Sequence, residues 1–246
     1  VSILATELIC YAPASIPTDD TSTTGGAIDL TRRPVFTQFT AGAKLALISD
    51  GTDVRVATIV GRDATGAVLT EAVTLTNAVE VLSVNTYERI QSVNLGATSG
   101  SRTVTLKQGT GGTTIATIPI NEVGIFMMFQ NAFSTTGTQT RHEKLFWKNT
   151  TATLTLTSSQ VTLTADASAL ITIGVHTAIN DTSTIANRLA VPGGISFVGV
   201  GTAQNVPGGG NLAATDKIGV WIRQSLAINQ AAQKNSFTSQ LSGNTT

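Results

Sequence analysis

Thr151-Ala-Thr-Leu-Thr-Leu-Thr157, followed closely by Gln160-Val-Thr-Leu-Thr164, alternates threonine with aliphatic residues. A period of two places Leu154 and Leu156 on one face of a strand and Thr153, Thr155 and Thr157 on the other. β-Branched side chains suit that pleated, half-buried surface. The same alternation recurs along the chain, so the sequence predicts an all-β protein.

Outward from this stretch, strand-like runs divide the chain. Lys44 to Ser49, Val54 to Arg62, Val68 to Leu75, Val79 to Val84, Tyr87 to Leu95, Thr103 to Lys107 and Thr114 to Ile118 follow one another, with Asp50-Gly51, Asp63-Ala-Thr-Gly66 and Gly109 to Gly112 as turns. Such short spacings predict an antiparallel meander or Greek-key sandwich over residues 41–120. A second β-sandwich or barrel-like module is expected over 121–246, opening with Gly124-Ile-Phe-Met-Met-Phe129. It continues through Glu143 to Trp147, Ala152 to Thr157, Gln160 to Thr164, Ala169 to Val175, Ile195 to Val200, Lys217 to Gln224 and Ser236 to Leu241. Ile179 to Leu189 reads equally as a short helix capped by Asp181 or Thr182 and as a long loop. Residues 1–40 carry Pro13, Pro17 and Pro34 and a polar stretch from Thr18 to Gly26, and they predict an extended N-terminal arm.

Composition narrows the functional classes. Only 12% of the 246 residues are charged, about half the usual share, and 15 basic residues balance 15 acidic ones. Without a basic surplus there is no electrostatic footprint for nucleic acid or an anionic membrane. A surface of Thr, Ser, Asn, Gln and Gly repels copies of itself weakly and favours assembly. Cys10 is the single cysteine, in Leu-Ile-Cys-Tyr, and reads as a small buried hydrophobe in a protein folded in a reducing cytosol.

Catalytic constellations are thin. His142 and His176, the two histidines, lack the spacing of a metal motif, and His142 in Thr-Arg-His-Glu-Lys reads as a surface residue. Asp19-Asp20 reads as a solvated turn. Gly109-Thr-Gly-Gly and Pro207-Gly-Gly-Gly-Asn lack the Lys-Ser/Thr and following helix of a phosphate loop. No Gly-x-Ser-x-Gly elbow occurs. Trp147 and Trp221 sit in alternating strands and read as core, although an exposed tryptophan beside Glu143 or Asp216 would make a sugar platform. The expectation is a non-enzyme with no metal and no cofactor.

Several stretches carry a family resemblance. Glu7-Leu-Ile-Cys-Tyr-Ala-Pro-Ala leads into Asp19-Asp-Thr-Ser-Thr-Thr-Gly-Gly-Ala-Ile-Asp29. Gly61-Arg-Asp-Ala-Thr-Gly-Ala-Val-Leu-Thr-Glu71 precedes Val73-Thr-Leu-Thr and Tyr87-Glu-Arg-Ile-Gln-Ser-Val93. Phe146-Trp-Lys-Asn-Thr150 and Gly219-Val-Trp-Ile-Arg223 precede Phe237-Thr-Ser-Gln-Leu-Ser-Gly243. In these the chain resembles β-rich virion structural proteins of tailed bacteriophages. The resemblance implies a virion location after synthesis in the host cytoplasm, and it brings no catalytic residues.

The function expected from it is capsid decoration: a cement protein on the outer shell, bound to the major capsid protein and to copies of itself. A symmetric homo-oligomer is expected, with a trimer favoured. The arm would add a strand to a neighbouring sheet, with Leu8, Ile9, Tyr11, Ile16, Val35 and Phe36 filling apolar pockets and Arg32 and Arg33 pairing with partner carboxylates. Alternatively, that segment packs against its own module. A tail, fibre or baseplate component is the second reading, and a host-glycan-binding module is the more distant one.

Overall fold

The computed structural model describes residues 2–96, 102–132, 137–230 and 235–245. In chain order its strands are β1 (Leu8–Ser15), β2 (Thr24–Asp29), β3 (Arg32–Arg33), β4 (Leu45–Ser49), β5 (Val56–Arg62), β6 (Val68–Thr74), β7 (Val81–Leu82), β8 (Arg89–Asn94) and β9 (Val104–Gln108). There follow β10 (Thr114–Ile118), β11 (Gly124–Phe126), β12 (Gln139–Asn149), β13 (Leu156–Asp166), β14 (Ile171–Ile179), β15 (Thr184–Ile185), β16 (Ala203–Asn205), β17 (Lys217–Leu226) and β18 (Phe237–Thr245). The protein is all-β, as the alternation predicts.

The chain forms two compact units, and their boundaries differ from those expected. One unit is discontinuous, made of Val1–Asp29 and Phe129–Thr246, and the other is Leu30–Met128, inserted in the sequence between β2 and β12. Gly124-Ile-Phe126 therefore closes the inserted unit instead of opening a second module. Its strand β11 lies between β3 and β8, with Gly124 opposite Asn94 and Ile125 opposite Val93.

Residues 1–40 are not an arm. β1 is interior to a six-stranded sheet of order β14-β17-β12-β1-β2-β15. Leu8 to Tyr11 pair with β12, and Ala12 to Ser15 turn their hydrogen bonds to β2. Cys10, Tyr11 and Ala12 are buried there. The prolines misled because Pro13 needs no ladder hydrogen bond where the pairing changes partner beside an irregularity.

In the inserted unit, a four-stranded sheet (β10-β9-β4-β7) and a five-stranded sheet (β3-β11-β8-β5-β6) contribute to one apolar core. Leu45, Leu47, Val104 and Leu106 come from the first sheet, and Ala57, Ile59, Ile90 and Val93 from the second. Strand β5 buries Ala57, Ile59 and Gly61 alternately, as a strand with one covered face must. Gly61 admits no larger residue easily: a Cβ there would lie 2.5 Å from Tyr87 Cδ1 and 2.6 Å from the Arg89 carbonyl oxygen. Gly61→Ala is expected to lower stability by about 1–3 kcal/mol through overpacking, measurable by urea denaturation.

The Gly61-Arg-Asp-Ala-Thr-Gly motif makes the β5–β6 hairpin. Asp63 Oδ1 accepts the amides of Thr65 and Ala67 at 2.9 Å and the Thr65 hydroxyl at 2.7 Å, while Gly66 supplies a positive φ of 87°. Each polar residue in the motif is explained by the turn.

Two runs expected to be separate strands behave otherwise. Residues 151–155 are not a strand, because the buried Asn149 side chain competes for their backbone. Its Oδ1 accepts the Thr151 amide at 3.1 Å, and its Nδ2 donates to the carbonyls of Leu154, Leu212 and Ala213. Strand β13 then starts at Leu156 and continues through a bulge at Ser158 into the Gln160 run. Of Ile195 to Val200, Val198 alone makes a bridge, to Ile173; of Ile179 to Leu189, Ile179 ends β14 and the rest is loop with the short β15.

Candidate functional site

The densest chemistry lies on β12, where Arg141, His142, Glu143 and Lys144 are consecutive and 0%, 1%, 1% and 1% exposed. The expectation that His142 is a surface residue is thus overturned. Strand β12 lies between β1 and β17 and is buried on successive residues, hence on both faces. Ionisable groups in such a strand persist only by pairing.

Alternation sends Arg141 and Glu143 to one face. Arg141 grips Asp20 with two parallel bonds, Nε to Oδ1 and Nη2 to Oδ2, each 2.7 Å. Arg188 reaches the same carboxylate at 2.7 Å, the Gln130 carbonyl oxygen at 2.6 Å and Glu143 Oε1 at 3.1 Å. Glu143 also accepts the Phe129 amide at 2.9 Å. Asp19, by contrast, is the solvated turn residue expected, accepting the amide and hydroxyl of Thr21. The network ties the β1–β2 turn, the segment entering β12 and the loop after β15 into one structure.

Burial and the two guanidiniums act oppositely on these acids. Burial pushes the Glu143 carboxyl up to about 7, against the opposing pull of Arg188. At Asp20 burial would raise the carboxyl, but the bonds from Arg141 and Arg188 hold it below its ordinary value. Between about pH 4.5, the ordinary value, and about 7, folded Glu143 retains a proton that the unfolded chain has lost. Its contribution therefore favours the fold below that window and weakens as pH rises through it. Relative to Glu143→Gln, the native chain is expected to lose roughly 2–3 kcal/mol between pH 4.5 and 7.5, read from paired urea titrations.

The opposite face carries His142 and Lys144. The His142 ring lies 5.3 Å from Phe197, whose ring is also covered by Arg223 at 4.7 Å. Burial holds the His142 imidazole below its ordinary value. The Lys144 ammonium bonds the Asp181 carboxylate and the Ser183 carbonyl, and His176 Nε2 stands 3.2 Å from Asp181 Oδ1. Ser183 Oγ is 3.4 Å from that same Nε2. Because Asp181 and Ser183 face one ring nitrogen, they do not form the Ser–His–Asp relay, which needs the acid on Nδ1.

Of the residues named for a sugar platform, Trp147 and Asp216 are half-buried, and the other two are enclosed. Trp221 is 1% exposed and Glu143 is buried. Among the described residues, no group of three or more His, Cys, Asp or Glu residues could hold a metal ion.

The expected partner contacts scatter. Tyr11 is buried, and Leu8, Ile9 and Ile16 are half-buried on or beside β1 in the discontinuous unit. Arg32 and Arg33 form β3 in the inserted unit, where Arg33 Nε donates to both Glu122 carboxylate oxygens at 2.8 Å. Phe36 packs against the inserted unit's core, and Val35, 62% exposed, is the one most open to solvent. These eight residues do not make one docking arm.

Open strand edges are the surface feature that remains. Strand β18 ends the sheet β16-β13-β18, and its outer edge pairs with no strand among the described residues. It alternates half-buried Phe237 and Ser239 and buried Leu241 with exposed Thr238, Gln240 and Ser242. Its nine residues include neither a charge nor a proline. Strand β6 is the comparable edge of the inserted unit.

Sequence reading missed Arg141, Lys144 and Arg188, and it gave their partners other roles: Asp20 a solvated turn, Glu143 the acid of a sugar platform and Asp181 a helix cap. A signal was present: four adjacent ionisable groups, leading straight into Leu145-Phe-Trp147, in a chain only 12% charged. No family model matches the chain, and neither a curated protein nor a solved structure matches it.

Proposed function

We propose that the chain is a non-enzymatic virion structural protein of a tailed bacteriophage, most specifically a capsid decoration protein. It would join the major capsid protein and copies of itself through open sheet edges. The observation carrying this reading is β18, a nine-residue edge strand with neither charge nor proline. Monomeric β proteins blunt such edges with lysine, proline or short length, because unpaired N–H and C=O groups template further pairing. Strand addition there supplies main-chain hydrogen bonds to a partner strand, and alternate side chains set its register. The low charge of the whole chain weakens repulsion between copies. The resemblance of its motifs to phage virion proteins supplies the class of partner.

The mode of attachment differs from strand donation by residues 1–40, because β1 already pairs within its own unit, Leu8 to Tyr11 with β12 and Ala12 to Ser15 with β2. The double variant Gln240→Lys/Ser242→Lys places two charges on exposed positions of β18. It is expected to keep the native circular dichroism and melting temperature but to lose at least tenfold in co-sedimentation with shells lacking the protein. Undiminished co-sedimentation would contradict docking through β18. A tail or baseplate position is the second reading, since an open edge serves assembly there equally.

A further inference from the structure

Lys144 and Asp181 meet as a buried amine–carboxyl pair beside two aromatic rings. The Lys144 side chain is 0% exposed and that of Asp181 5%. Nζ lies 4.8 Å from the Phe146 ring centroid and 5.3 Å from that of Trp221. Gly219 leaves the space for the pair: a Cβ there would stand 2.7 Å from Lys144 Cε and 3.2 Å from Asp181 Oδ2. Nζ bonds Oδ2. The other oxygen accepts the Ser183 amide at 2.8 Å and faces His176. The imidazole Nδ1 accepts the Ala178 amide at 3.1 Å, which leaves the ring proton on Nε2, 3.2 Å from Oδ1. An amine, a carboxyl group and a proton donor thus converge where little water enters. Burial also pulls the Lys144 ammonium below its ordinary value, against the hold of Asp181, while at Asp181 burial is outweighed by the bonds from Lys144 and Ser183, which hold its carboxyl below its ordinary value.

We propose that Lys144 and Asp181 condense into an intramolecular isopeptide bond, with His176 Nε2–H hydrogen-bonding the carboxyl oxygen on which negative charge develops. In a low-dielectric pocket, one Nζ proton passes to the carboxylate and leaves a neutral amine beside a neutral acid. The Nζ lone pair attacks Asp181 Cγ, the Nζ–Cγ bond forms, and the carbonyl electron pair moves onto oxygen. Oδ2 leaves as water, carrying the proton it took from Nζ and a second one passed from the attacking nitrogen, as the Cγ–Oδ2 bond breaks and the carbonyl re-forms at Oδ1, where the His176 Nε2–H donates a hydrogen bond to the developing oxyanion. Three ammonium hydrogens are accounted for: one stays on the amide and two leave as water, with no oxidant or reductant. Proximity supplies the driving geometry, since both partners are held in contact by the folded chain. The product would lock β12 covalently to the loop that follows β14, a tie suited to a protein under mechanical load.

Intact-protein mass spectrometry of the full folded chain tests this directly. The expected mass is that of the sequence less one water, and proteolysis should release residues 144 and 181 in one joined peptide pair. Lys144→Met and Asp181→Ala should each show their full sequence mass. His176→Ala should fold and still lose water, but roughly 100-fold more slowly in a time course of the mass change. A native chain that keeps its full sequence mass, with the two peptides released separately, would overturn the bond. An unchanged rate in His176→Ala would overturn the role of the imidazole.

Discussion

Replacing Arg188 by methionine is expected to cost the discontinuous unit about 3–5 kcal/mol at pH 7.5, the range found when one member of a buried ion pair is removed. Arg188 is fully buried and serves Asp20, Glu143 and the Gln130 carbonyl together. Its loss strands an acceptor and leaves Glu143 without a cation. Asp20 keeps its two bonds to Arg141, so the damage concentrates on Glu143. Without Arg188 the Glu143 carboxyl moves further above its already raised value of about 7. The folded variant then holds a proton that its unfolded chain releases, and its deficit must grow as pH rises from 5 to 8.5. Both tryptophans, Trp147 and Trp221, lie in this unit, so fluorescence-detected urea unfolding reports on it selectively. A deficit under about 1 kcal/mol, or one that shrinks with rising pH, would contradict the network.

Trp221→Ala is the second large effect, with about 3–5 kcal/mol lost and the melting temperature lowered by roughly 10 °C, followed by circular dichroism. Trp221 stands in β17 opposite Lys144 on β12 and Gly174 on β14, inside the six-stranded sheet. Its indole presses on Gly25, where a Cβ would lie 3.1 Å from Cη2 and φ is 101°. Removing the ring opens a cavity beside the Lys144 ammonium, which loses one of its two aromatic neighbours. A melting temperature unchanged within about 2 °C would mean that the indole is not core.

Much of the fold was legible because period-two alternation marks a strand with one covered face. In the inserted unit, the runs at Lys44, Val54, Val68, Val79, Tyr87, Thr103 and Thr114 all became strands. Legibility ended where a strand is covered on both faces, since alternation then carries no information. β12 is such a strand, and its Arg-His-Glu-Lys run has the look of a surface. Residues 1–40 were misread for a related reason: prolines argue against a strand locally, but a change of pairing partner accommodates Pro13. Asn149 shows a third limit. Its buried amide reorganises residues 151–155, and no pattern in Thr-Ala-Thr-Leu-Thr announces that. The ion-pair networks were illegible because they join residues far apart in sequence, as Asp20 and Arg188 do.

These networks bear on function through what they leave exposed. Arg33, Arg141, Lys144, Arg188, Asp20, Asp181, Glu122 and Glu143 are engaged internally. The open edge of β18 presents the hydroxyls and amide of Thr238, Gln240 and Ser242, which suit contact with another β strand.

Counting the chain in purified virions by quantitative mass spectrometry, relative to the major capsid protein, tests the central claim most directly. A copy number of the same order as the capsid protein is expected of a decoration protein spread over the shell lattice. A ratio of a few per cent would place it in the tail or at a vertex, as in the second reading. Virions that contain none of it would contradict the virion assignment.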